Sequence, residues 1–107
     1  MEQQIERPPE YLYKIISYRN WQESKTSKTL KLSSDDDNFI HLSTKQQLNK
    51  IMKKYWSDVP KFVVLKLSTK KLKGKLVYET NPNGMTKYYH LYNGFIPFDA
   101  IVDYTIY

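Results

Sequence analysis

Tyr11, Tyr13 and Ile15 alternate along the chain with Leu12, Lys14 and Ile16. That period of two predicts a strand ending at Ser17. Ser17 then offers a hydroxyl to cap a short helix over about 18–25, in which Tyr18 and Trp21 turn inward while Arg19, Gln22 and Glu23 stay in water. Thr29 to Ser33 alternates again and predicts a short, half-exposed strand before the polar turn Ser34 to Asn38. In Phe39 to Ser43, a strand places Ile40 and Leu42 on one face and Phe39, His41 and Ser43 on the other. A second helix is predicted over about 44–56. Ser43 or Thr44 caps it, Gln46 or Gln47 completes a capping box, and Leu48, Ile51, Met52 and Tyr55 form one apolar stripe among Lys45, Lys50, Lys53 and Lys54.

Asp58 and Pro60 close that helix, and the apolar, β-branched run Phe62 to Leu67 predicts a central strand covered on both faces. Lys75 to Thr80 is a further strand, with Leu76, Tyr78 and Thr80 on one side and Lys75, Val77 and Glu79 on the other. Asn81, Pro82, Asn83 and Gly84 are turn formers and open a loop that runs to Lys87. Tyr88 to Tyr92 and Ala100 to Tyr107 are the last expected strands, around a connection at Gly94 to Pro97. The pattern is that of an α+β domain over residues 11–107, preceded by a flexible lead over residues 1–10 that ends at Pro8 and Pro9. At 107 residues the chain supports one hydrophobic core and not two.

Composition narrows the chemistry. The absence of cysteine removes disulfides, thiolate metal sites and thiol nucleophiles together. The opening MEQQIERPPE has no apolar run, so neither a signal peptide nor a membrane span is expected, and the location expected is cytoplasmic. A net charge of +6 and a pI near 9.4 draw anions such as nucleotides or RNA. Only Arg7 and Arg19 carry the guanidinium fork among the 17 basic residues, however, and the scattered lysines fit a solvated surface better than a nucleic-acid footprint.

The candidate centre of chemistry is His41. It stands on a strand that ends in His-Leu-Ser-Thr at a helix N-terminus, where free amides and the helix dipole favour phosphate. The plainer alternative has His41 bonding a neighbouring carbonyl, with Ser43 and Thr44 only capping the helix. Tyr88, His90 and Tyr92 share a strand face that either stacks a planar ring or packs on the core. Glu79 either reaches a ribose hydroxyl or pairs with a lysine. Asp35, Asp36 and Asp37 lack the spacing of a cation loop and read as turn and cap residues. With two histidines 49 positions apart, no metal site is expected.

Six short motifs in order resemble the small bacterial domain-of-unknown-function family 952. They are Tyr13 to Ile15, Trp21, Phe39 to Thr44, Tyr78-Glu79, His90 to Tyr92 and Ile96 to Ile101. The resemblance covers Tyr11 to Tyr107. It implies an ADP-ribosyltransferase-like fold: a bent, split, mostly antiparallel β-structure with two main helices and a cleft that binds NAD in true transferases. Ile40 to Ser43 is similar to a strand of RNA 2′-phosphotransferases, which implies that His41 contacts ribose or phosphate. Tyr13 and Lys14 fall where transferases carry a His-Gly-Thr signature, and the chain departs from it with Lys14, Ile15 and Ile16.

By that resemblance His41 and Glu79 are the candidate catalytic residues, and Tyr13, Lys14, Ser43, Thr44, Tyr88, His90 and Tyr92 the candidate ligand-binding ones. The implied function is a domain, active or degenerate, that binds NAD, ADP-ribose or a phosphorylated nucleotide. A non-catalytic nucleotide- or RNA-binding module and a protein-interaction domain are the alternatives.

Overall fold

The computed structural model describes residues 7–107. Two three-stranded antiparallel sheets form the body. The first joins β1 (Tyr11–Ser17), β3 (Phe62–Ser68) and β6 (Ile101–Ile106) in the order β1-β3-β6. The second joins β2 (Ile40–Leu42), β5 (Lys87–Phe95) and β4 (Lys73–Thr80) in the order β2-β5-β4. They are stitched at one point, where Tyr13 N–H donates to Ser43 O at 2.8 Å and Ser43 N–H donates back to Tyr13 O at 2.9 Å. Beyond that bridge β1 and β2 share no ladder among the described residues.

Alternation decides which side chains fill the space between them. Leu12 and Ile16 from β1 and Val63, Leu65 and Leu67 from β3 meet Ile40, Leu42 and Leu91 of the second sheet, closed by Trp21, Leu30, Ile96 and Ala100. Each such burial contributes roughly 1.5–3 kcal/mol for a large aliphatic side chain. The opposite parity of the first sheet, Ile15, Phe62 and Val64, packs on α2 (Leu48–Tyr55) through Leu48, Ile51, Met52 and Trp56. The central strand β3 is therefore covered on both faces, as its apolar run predicts.

Both predicted helices form. α1 (Tyr18–Ser24) starts at Ser17, whose Oγ accepts from Asn20 N–H at 3.0 Å, and it buries Trp21 against Phe98 and Tyr104. The second helix begins as a 3-10 turn over Lys45–Gln47 before α2, with Gln47 Oε1 accepting from Thr44 N–H at 3.0 Å. The strand expected over 29–33 does not form. Thr29 makes an isolated bridge to Pro97, and Leu30 N–H donates to Ile96 O, while Lys31 N–H is taken by the Ser24 hydroxyl. A side chain thus takes a place that a ladder partner would need.

β4 and β5 are longer than predicted because Gly74 and Gly94 face each other across the ladder. Gly74 has φ +130°, and a Cβ on Gly94 would stand 2.6 Å from Gly74 Cα. The pairing register shifts there, between Lys73 and Lys75, and resumes beyond. Of the expected lead, residues 1–6 lie outside the described residues, whereas Glu10 O accepts from Thr69 N–H at 3.0 Å. No helix among the described residues is long and apolar enough to cross a membrane.

Candidate functional site

A cleft of about 830 Å³ is lined by residues of both β1 and β2. Tyr13, Lys14, His41, Ser43 and Tyr88 line it, joined by Ser17, Asn20, Ser33, Asp35, Asp36 and Asn81, with Tyr55 and Trp56 on the α2 side. Among the candidate residues from the sequence, Thr44, Glu79, His90 and Tyr92 do not line it.

Asp36 organises the cleft floor. Its Oδ1 accepts from Lys14 Nζ at 2.8 Å, from His41 N–H at 3.0 Å and from His41 Nδ1 at 3.1 Å. The side chains of Lys14 and Asp36 are 7% and 5% exposed, so this ion pair is held away from water. Burial pushes the Asp36 carboxyl up. The His41 ring, the Lys14 ammonium and the His41 amide outweigh it and hold the carboxyl down at about 2. Burial lowers Lys14 against the opposing pull of Asp36 and Asp35.

An ionised Asp36 accepts only, so the proton of a neutral His41 sits on Nδ1 and the lone pair on Nε2. Nε2 has no protein partner among the described residues, on a ring whose side chain is 41% exposed and lines the cleft. A carboxylate that fixes the tautomer of an imidazole and holds its ring in place is the arrangement that general base chemistry uses.

A second constellation lies on the same sheet face. The register pairs His41 with His90, and Glu79 with Tyr88. His90 is fully buried, its Nδ1 2.8 Å from Glu79 Oε2 and its Nε2 2.8 Å from Asn81 Oδ1. The Tyr92 hydroxyl also donates to Glu79 Oε2. The bonds from Tyr92 and His90 hold the Glu79 carboxyl below its usual range, and Glu79 in turn raises Tyr92. Phe39 stacks on His90 with ring centroids 4.0 Å apart and leans on His41 at 4.8 Å. The predicted face of Tyr88, His90 and Tyr92 exists, but within it Glu79 and Phe39 occupy His90.

Three residues of this arrangement escape sequence reasoning: Asp36, Phe39 and Asn81. Asp36 reads as one of three turn aspartates, although it alone among them accepts from both Lys14 and His41. The available signal was Lys14 itself, which shares a strand face with Leu12 and Ile16 and needs a buried counter-charge there. No group of three or more His, Asp or Glu side chains among the described residues is arranged to hold a metal ion.

Residues 15–104 match the family described as Protein of unknown function (DUF952), and the chain belongs to that family. Among solved structures, the crystal structure of protein CC0527 from Caulobacter crescentus is similar, with a TM-score of 0.76 and 26% identity over 90% of this chain and 84% of that one. A double-methionine variant of CC0527 is similar in fold, with a TM-score of 0.76 and 24% identity over the same shares. None of the curated proteins compared matches this chain.

Proposed function

We propose that this family member is an ADP-ribosyltransferase-like domain whose cleft takes NAD, ADP-ribose or a phosphorylated nucleotide, and in which His41 acts on a hydroxyl of the bound ligand. The observation that carries the reading is the Asp36–His41 pair, which leaves Nε2 without a partner among the described residues at a cleft of about 830 Å³. A volume of that size lies within the roughly 300–1,000 Å³ of ordinary small-molecule sites. Tyr55, Trp56 and Tyr88 provide ring faces, and Ser43 and Asn81 provide hydroxyl and amide groups.

In this reading Tyr13, Ser43 and Tyr88 contact ligand, and Lys14 acts through Asp36. Glu79, His90 and Tyr92 support the cleft wall through Phe39 and Asn81, and Thr44 serves the helix start. Calorimetric titration with NAD, ADP-ribose and RNA ends bearing a 2′-phosphate tests it. At least one is expected to bind, with affinity reduced about tenfold in His41→Ala, the loss of one buried hydrogen bond. Absence of binding by all of them at millimolar concentration overturns the reading.

A further inference from the structure

The charge of the protein and the charge of its cleft have opposite signs. The whole chain carries +6. Among the described residues lining the cleft, Lys14 is the sole cation, against the two carboxylates of Asp35 and Asp36. That cation is already engaged, 2.8 Å from Asp36 and 7% exposed. The other titratable groups on the wall are His41, whose Nδ1 is spent on Asp36, and the hydroxyls of Tyr13, Tyr55 and Tyr88.

The amides at the start of the second helix do not compensate. Gln47 Oε1 takes the Thr44 amide, Gln47 N–H goes to Thr44 O, and neither Thr44 nor the 3-10 turn after it lines the cleft. A phosphate seated here would lose water and gain no free positive charge, with the exposed carboxylate of Asp35 nearby. Neutral hydroxyls meet a more favourable surface, with an imidazole lone pair, serine hydroxyls, an amide and aromatic faces.

We infer that the part of the ligand recognised inside this cleft is an uncharged or cationic nucleoside, with any phosphate left outside in solvent. The inference rests on the reading of the cleft as a nucleotide site and names which portion of the nucleotide is bound. Asp35 is the residue that selects against phosphate, being exposed and on the wall, and acting on Lys14 only through its field while the Lys14 ammonium is bonded to Asp36. Asp36, by contrast, belongs to the His41 pair.

Competition measured by ligand-observed NMR on the full chain tests it. The probes are adenosine, guanosine, uridine, cytidine and nicotinamide riboside, their 5′-monophosphates, NAD, ADP-ribose and inorganic phosphate. At least one nucleoside is expected to bind as tightly as its monophosphate or up to roughly tenfold tighter, as suits one or two unfavourable charge contacts. Phosphate at ten times the nucleoside concentration is expected not to displace it, and Asp35→Asn to narrow the gap between nucleoside and monophosphate. Displacement by phosphate, or a monophosphate that binds much more tightly than every nucleoside, overturns this inference and leaves the nucleotide reading standing. If none of these binds, and no RNA end bearing a 2′-phosphate does either, both fall.

Discussion

Asp36 lies five residues before His41 and accepts from both its backbone amide and its ring, at 3.0 and 3.1 Å. One carboxylate oxygen therefore sets the start of β2 and the tautomer of the imidazole that β2 carries. Lys14 reaches the same oxygen from β1, so the Asp36 contacts also tie the two sheets together across the cleft.

Asp36 makes stability depend on acid pH. Its carboxyl titrates at about 2 in the fold and at an ordinary 3.8 when unfolded, so the unfolded chain takes up the proton first as pH falls. The stabilisation is complete above about pH 4 and lost as pH falls through about 2, a loss of roughly 2 kcal/mol. Asp36→Asn removes it at every pH and leaves Lys14 buried without a counter-charge, a cost of about 3 kcal/mol or more at pH 7. Urea denaturation from pH 7 to pH 2.5 should show the gap between wild type and Asp36→Asn closing at the acid end.

The same variant should release the His41 tautomer. Nitrogen-15 spectra of the imidazole are expected to show the proton on Nδ1 in the wild type above the pH at which the ring protonates. In Asp36→Asn they should show a mixture weighted toward Nε2, the usual preference of a ring with no carboxylate to bond. His41→Ala is expected to lower the denaturation midpoint, though by less than Asp36→Asn does, because the ring is 41% exposed yet bonds the buried Asp36 carboxylate.

His90 has the opposite profile. It is fully buried beneath Phe39 with both nitrogens bonded, so His90→Ala opens a cavity and takes a partner from Glu79 and from Asn81. A loss of about 3 kcal/mol or more is expected by chemical denaturation. Glu79→Gln keeps an acceptor for His90 and is expected to be milder, and to lower the Tyr92 hydroxyl toward the ordinary tyrosine value in a spectrophotometric titration.

Gly94→Ala tests the crossing of β4 and β5. The added methyl would collide with the Lys73 carbonyl and with Gly74 Cα, all backbone atoms that no side-chain rotation clears. A loss of about 2–4 kcal/mol is expected, together with faster amide exchange between Lys73 and Lys75.

Local patterning was enough for much of the framework. The period of two in Tyr11–Ser17 and Phe62–Ser68, the Ser17 cap and the stripe of Leu48, Ile51 and Met52, whose expected fourth member Tyr55 stays exposed, each describe neighbours along one element, where backbone geometry dictates which side chains share a face. The segment 29–33 failed the same test because its amide partners, Ser24 and Ile96, come from remote parts of the chain.

For the candidate site the sequence by itself determined that His41 and Ser43 share a strand face, that Tyr88, His90 and Tyr92 share another, and that Glu79 shares the face of Lys75 and Val77 on its own strand. Only the tertiary structure decided what these groups do. Register aligned His41 with His90 and brought Glu79 within reach of His90 and Tyr92, and Phe39 then covered His90. Lys14 and Asp36, 22 residues apart, meet because desolvation makes an isolated buried lysine too costly to leave unpaired. That requirement was visible in Lys14 itself, since it shares a strand face with Leu12 and Ile16. Which of the eleven carboxylates would answer it depended on how the loop before β2 closes over β1, and no local period encodes that.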